Sequence, residues 1–328
     1  MSPLPTFADV QAAARRLEGV TIRTPLLENE RVNRALGGRL FIKAECLQRT
    51  GSFKLRGAYN FLAAMTDADR AKGVVGWSSG NHAQGLAEAA RLMGVKATIV
   101  MPSDAPALKV ANTRASGAEV ILYDRVKESR EAIGHGIAEK TGATIVPPYD
   151  HPWILTGQGT AGIEIAEQAK AAGVTLDAVA APCSGGGLAT GVALGVQGLS
   201  PTTAVHAGEP AGFDDLARSL ASGTKQKNDK LSGSICDALL APTPGDVTFP
   251  LAQKVLGPGL VVSDDEVLDA MELAFREFKL VVEPGGAVAL AAALTGKLLV
   301  KGRAVAVVCS GGNVDHETFK RALGRAKA

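Results

Sequence analysis

The sequence predicts an α/β protein of two lobes, built on open, mostly parallel twisted sheets flanked by helices. Three observations carry this. Short apolar runs alternate with helical ones along most of the chain, the mark of right-handed βαβ units. The strand-like runs are continuously apolar rather than alternating, as in a parallel sheet covered on both faces. Glycine makes up 38 of 328 residues while aromatics are only 4%, a balance that suits tight turns and close backbone approaches. The length allows about two domains or one large α/β unit.

The elements follow in order from about residue 70. Residues 74–77 read as a strand and 81–93 as a helix ending at Gly94. A strand at 97–101, a helix at 107–116 and a strand at 119–123 come next, then a helix at 128–141 and a strand at 144–146. A long helix covers 154–172. Strand 178–181, helix 188–199, strand 204–207 and helix 215–221 continue the alternation. The polar stretch TKQKNDK at 224–230 reads as a surface loop. Strand 260–262, helices 264–278 and 286–294, strand 304–308 and helix 315–325 complete the chain.

Composition narrows the function classes. Lys and Arg number 35 against 33 Asp and Glu, a net charge of +2 with no basic stripe, which argues against nucleic acid as a partner. No apolar stretch reaches the ~18 residues of a membrane span. The N-terminus MSPLPTFADVQAAARR has no apolar leader core. Cys46, Cys183, Cys236 and Cys309 form no C-x-x-C pair and have no His cluster beside them, so neither a disulfide framework nor a zinc site is expected. Cys183 and Cys309 end apolar runs and read as small buried residues. The expectation is a reduced, cytoplasmic, soluble protein with no membrane partner.

Four segments carry chemistry. Lys54, in Gly51-Ser52-Phe53-Lys54-Leu55-Arg56-Gly57, opens a helical run, where a cation is slightly disfavoured by the helix dipole. Ser184-Gly185-Gly186-Gly187-Leu188 follows a strand and opens a helix. A tight turn needs one or two glycines; three in a row bare successive N–H groups at a helix N-terminus, a ready anion site. The loop does not fit G-x-G-x-x-G, because Thr190 stands at the last glycine position, and no P-loop is present. Ser78-Ser79-Gly80-Asn81-His82 follows another strand. It reads as a helix N-cap, a carboxylate site, or both. Cys309-Ser310-Gly311-Gly312-Asn313 follows a third strand. Ligands gather beyond the carboxyl ends of parallel strands. A lysine, a phosphate cradle and two polar loops there point to pyridoxal phosphate.

These motifs, SFKLRGA, SSGNHAQG, GQGTAGIEI, SGGGLATG, EPGGA and CSGGN, make the chain similar to the fold-type II pyridoxal-phosphate enzymes over essentially its whole length. Within them it resembles the serine/threonine dehydratase and serine racemase branch. The resemblance implies a large cofactor domain from 1–52 and 147–328, a small domain from 53–146, and a homodimer. It makes Lys54 the Schiff-base and catalytic lysine and packs Phe53 on the cofactor ring. It sets Asn81 at the ring hydroxyl, Gly185, Gly186, Gly187 and Leu188 at the phosphate, and Ser310 at the pyridine nitrogen. Ser78, Ser79, Asn81, His82 and Arg130 would face the substrate, with Ser79 the acid/base opposite the lysine. For Arg130 a plain surface charge is an equal alternative. The activity implied is β-elimination from L-threonine or L-serine to a 2-oxo acid and ammonia. Serine racemase or 3-hydroxyaspartate dehydratase is the alternative, and a non-catalytic amino-acid or cofactor-binding protein is the competing class.

Departures from the family refine this. SSGNHAQG differs from the T-S-G-N-T-G loop of the β-replacement relatives. The chain ends at Ala328 soon after Ser310, so the regulatory domain of biosynthetic threonine dehydratases is not expected. Ala238 stands where relatives carry glycine, a methyl that would narrow the site. Glu209-Pro210-Ala211-Gly212-Phe213-Asp214-Asp215 resembles the cation site of serine racemases. Glu209 and Asp215 would give carboxylates and Phe213 its carbonyl, to Mg²⁺ or Ca²⁺. Asp214 and Asp215 as mere helix caps is the other reading, weighed against Glu209 having no other evident role.

Overall fold

The computed structural model describes residues 4–105 and 107–325. Met1–Pro3 of the segment read for a leader, and the end at Ala328, lie outside them. Among the described residues ten strands form two sheets: β1 (Leu26–Glu28), β2 (Arg39–Lys43), β3 (Val74–Trp77), β4 (Ala97–Pro102), β5 (Glu119–Tyr123), β6 (Thr144–Ile145), β7 (Ala178–Pro182), β8 (Ala204–Pro210), β9 (Leu260–Val262) and β10 (Ala304–Val308). The six-stranded sheet runs β1-β2-β10-β7-β8-β9 and the four-stranded sheet β5-β4-β3-β6. Every pairing is parallel except β1 with β2.

The continuous apolar runs have a direct cause. In β10, Val305 and Val307 pack into one core cluster, while Ala306 and Val308 pack into the cluster on the opposite face. In β7, Ala178 and Ala180 join the first cluster, and Val179 and Ala181 the second. Both faces are covered, so no position is left for a polar residue. Each fully buried valine contributes about 1.5–3 kcal/mol.

The register Val305↔Ala178 and Val307↔Ala180 keeps β7 and β10 level, so the loops after Pro182 and Val308 emerge side by side. The smaller sheet presents the loop after Trp77. The first 73 residues hold more structure than their sequence suggested: helices Phe7–Leu17 and Glu30–Leu36, and strands β1 and β2. The helix Thr248–Val255 was not foreseen either. Among the described residues no helix is long and apolar enough to cross a membrane. All four cysteines are free and buried.

Candidate active site

A cavity of about 280 Å³ lies where these three loops meet. Lys54 enters it from the first residue of helix Lys54–Ala64. The helix start is tied to the β10 loop: the Phe53 N–H donates to the Ser310 carbonyl at 3.0 Å, and Ser52 bridges Gly311. The Lys54 ammonium donates to the Pro148 carbonyl at 2.8 Å and lies 5.1 Å from the centre of the Phe53 ring. Burial pulls its pKa down to about 8, with Glu283 acting the other way. Ser310 is buried at the same wall.

The glycine loop opens helix Gly187–Leu199. Gly186 sits at the N-cap with φ of +99°, a left-handed conformation that favours glycine, and no side chain caps the helix. A Cβ on Gly185 would stand 2.1 Å from the Tyr149 ring, so only glycine lets that ring lie against the loop. The first-turn N–H groups of Gly187 and Leu188 are therefore unmasked at the cavity. A cradle of this shape fits a phosphate ester, and the half-buried lysine beside it fits an aldehyde cofactor.

In the loop after β3 the structure corrects one reading. The N-cap of helix Asn81–Met93 is Gly80, with no side-chain cap bond. Neither Ser78 nor Ser79 caps it; the Ser78 hydroxyl accepts from the Gly80 N–H at 3.1 Å. Both serines line the cavity. The His82 Nε2 lies 3.0 Å from the Val146 carbonyl. Burial, reinforced by Lys54, lowers the His82 pKa to about 3. The ring is thus neutral, and Nε2 carries the proton because a carbonyl only accepts. Arg130 opens helix Arg130–Thr141 at the cavity mouth, half exposed and paired with Glu131 at 2.8 Å. All the residues expected to bind cofactor or substrate line this one cavity.

Some contributors were not foreseen. Asn81 donates to Glu283 at 2.5 Å and accepts from the Asn313 amide at 2.8 Å, so the EPGGA and CSGGN motifs both aim it. Burial pushes the Glu283 carboxyl up to about 7, the Asn81 bond opposing it. A Cβ on Gly311 would meet the same carboxylate at 2.1 Å. Arg56, one half-turn beyond Lys54, is wholly buried. It binds Glu45 at 2.7 and 2.8 Å and Glu164 at 2.7 and 2.9 Å. Lys43 completes the cluster, 2.6 Å from Glu164. An acid preceding Pro-Gly-Gly, and an arginine within an apolar helix, were the available signals.

The Glu209 region lies apart from the cavity and corrects a second reading. Glu209 does have another role: its carboxylate accepts from the Leu216 and Ala217 N–H groups at 3.0 and 2.7 Å. It thereby caps helix Asp215–Ser222, whose N-cap residue Asp214 makes no such bond. Asp215 accepts from the Asn228 amide at 2.6 Å through Oδ1, while its buried Oδ2 has no partner. Phe213 is buried alongside. Among the described residues no three His, Cys, Asp or Glu side chains gather as a metal site.

The family model for "Pyridoxal-phosphate dependent enzyme" matches residues 17–311. The chain belongs to this pyridoxal-phosphate-dependent family. Among its relatives in the family, an L-threo-3-hydroxyaspartate ammonia-lyase of Pseudomonas sp is 44% identical, with 98% of this chain and 99% of that protein covered. A serine racemase of Schizosaccharomyces pombe is 39% identical, with 98% of each covered. The crystal structure of a threonine deaminase from T.th. superposes with a TM-score of 0.89 at 43% identity, over 95% of this chain and 99% of that one. Maize serine racemase gives 0.91 at 36% identity, over 98% of both. The chain is a pyridoxal-phosphate-dependent enzyme of the lyase and racemase group.

Proposed function

We propose that the chain is an ammonia-lyase for 3-hydroxy amino acids. It removes water across Cα–Cβ, and the enamine that leaves hydrolyses to a 2-oxo acid and ammonia. The observation that carries this is Lys54: a half-buried amine with its pKa drawn down to about 8, in the cavity that also holds the glycine cradle. Pyridoxal phosphate, when bound, supplies a carbonyl carbon that engages amino groups and a ring that withdraws the electron pair left at Cα.

The protein's own residues do the rest. Gly185 to Leu188 hold the phosphate ester through backbone N–H groups. Lys54 takes the Cα proton as a neutral amine. The uncapped helix start at Gly80 receives the substrate carboxylate, with Ser78 beside it. Ser310 can donate a hydrogen bond to a ring nitrogen but cannot protonate it as a carboxylic acid would. Weak electron withdrawal favours prompt loss of the β-hydroxyl.

L-Serine and L-threonine fall in this class. Two cations at the mouth favour the dicarboxylate 3-hydroxyaspartate. Arg130 is one, and Lys109, 3.6 Å from Asp237, is the other. The 44% identical ammonia-lyase for that substrate supports the same choice. A racemase activity has one specific support: Ser79 lines the cavity, and its hydroxyl is not spent on a cap. We further propose a divalent cation between Glu209, Asp215 and the Phe213 carbonyl, supported by the orphaned Asp215 Oδ2. The test is 2-oxo acid release and product chirality from L-serine, L-threonine and L-threo-3-hydroxyaspartate. The expected result is oxo acid from all three, with the highest kcat/KM for hydroxyaspartate. Absence of oxo acid from every substrate would overturn the lyase reading.

A further inference from the structure

We propose that Thr248, held from behind by Asp150, is the positioning residue of the phosphate cradle. The inference rests on the reading of the glycine loop as a phosphate site.

The weak point of such a loop is the peptide between Gly185 and Gly186. Two glycines flank it, so no side chain resists its rotation. In one orientation it would turn a carbonyl oxygen, a partial negative charge, towards the anion. The structure fixes that carbonyl. The Thr248 hydroxyl donates to it at 2.6 Å and the Gly245 N–H at 3.2 Å. A trans peptide holds its N–H and C=O on opposite sides. The Gly186 N–H is therefore turned away from Thr248.

Thr248 is itself held. It is fully buried and opens helix Thr248–Val255, whose N-cap residue Val247 makes no side-chain cap bond. The Asp150 carboxylate takes that place, accepting from the N–H groups of Asp246, Val247 and Thr248 at 2.7, 2.8 and 3.1 Å. A Cβ on Gly245 would meet Asp150 at 2.2 Å, so glycine is needed for this approach. Three consecutive residues thus serve the cavity. Pro148 receives the Lys54 ammonium, Tyr149 lies on Gly185, and Asp150 anchors the lock on the Gly185 carbonyl.

The test compares ligands with and without phosphate. The full-length chain and its variants T248V, T248S and D150N are titrated with pyridoxal phosphate and with pyridoxal, and bound ligand is read from absorbance. Valine keeps the shape of threonine and replaces the donating hydroxyl with a methyl. T248V is expected to weaken pyridoxal phosphate about tenfold, as loss of one hydrogen bond does. Pyridoxal should stay within about twofold, and T248S should keep the wild-type preference. D150N, which leaves the Thr248 hydroxyl in place, should show a smaller loss of the same selectivity. Equal weakening of both ligands by T248V, or no weakening of either, overturns the proposal. If T248V does not fold, an unchanged preference in D150N overturns it. A wild type that shows no preference for pyridoxal phosphate overturns the cradle reading instead.

Discussion

Replacing Arg56 with alanine should destabilise the fold more than any change at the cavity surface. Arg56 makes four charge-assisted hydrogen bonds to two buried carboxylates, and its side chain is 0% exposed. Removal leaves Glu45 and Glu164 facing Lys43 alone. Breaking a buried pair from one side costs about 3–5 kcal/mol, against about 5–15 kcal/mol for a whole fold. At about 2 °C per kcal/mol, the low end for large domains, Tm should fall by roughly 6–10 °C. The pH dependence gives a second readout. In the native chain burial pushes the Glu45 carboxyl up, but the charge and hydrogen bonds of Arg56 hold it below the usual carboxylate value. A depressed carboxylate adds stability above its unfolded pKa and loses it as pH falls. Without Arg56 burial prevails, the folded pKa rises above the unfolded one, and ionisation becomes a penalty that acid relieves. The variant should therefore lose less stability, relative to wild type, at pH 5 than at pH 8. Urea melts at both pH values measure this. A loss under about 1 kcal/mol, or one independent of pH, would refute the assignment of Arg56 as the charge that compensates both carboxylates.

The other expectations are direct. Cofactor-free chain should take up pyridoxal phosphate faster as pH rises through about 8 and then level off, because Lys54 attacks as a neutral amine. A rate still climbing at pH 10, as for a lysine near 10.5, would place the reacting amine elsewhere. Ser79→Ala should leave L-threonine deamination mostly intact while removing activity on D-serine; equal loss of both would end the two-base reading. A chelator should lower Tm if Glu209 and Asp215 hold a cation, since a ligand at a hundredfold excess over Kd stabilises by ~2.7 kcal/mol. The Glu209→Ala/Asp215→Ala double variant should not respond, and an indifferent wild type leaves Glu209 as a helix cap only.

Strands buried on both faces announce themselves as unbroken apolar runs, which is why residues 304–308 were legible. Strand β2 was not: RLFIK begins and ends on cations, and a lysine ordinarily signals solvent, whereas Lys43 is buried among acids. Helix Thr248–Val255 was hidden by Pro250, a breaker in mid-helix that is tolerated in the first turn. Most cavity residues were legible because they follow strands in Gly- and Ser-rich loops, and Phe53 and Lys54 because SFKLRGA opens a helical run. The pairing that aims Asn81 was not, since Glu283 lies 202 residues away and spacing says nothing at that range.

The two corrected readings share one physical source. A helix start demands acceptors for backbone N–H groups, and those donors have no letter in the sequence. The sequence offered the nearest polar residues for it, a serine of the Ser78-Ser79 loop as one of two compatible readings and Asp214 or Asp215 as the alternative to a cation site. The structure meets it from elsewhere in the second case, with Glu209 reaching from the end of β8. In the first case it provides no side-chain cap at all. An unmet demand at the mouth of a cavity is a place for an anionic ligand, and the same reasoning applies to the uncapped helix behind Gly186. Local sequence locates helix starts well; which of them are closed by protein and which stand open to substrate is decided by elements far away in the chain.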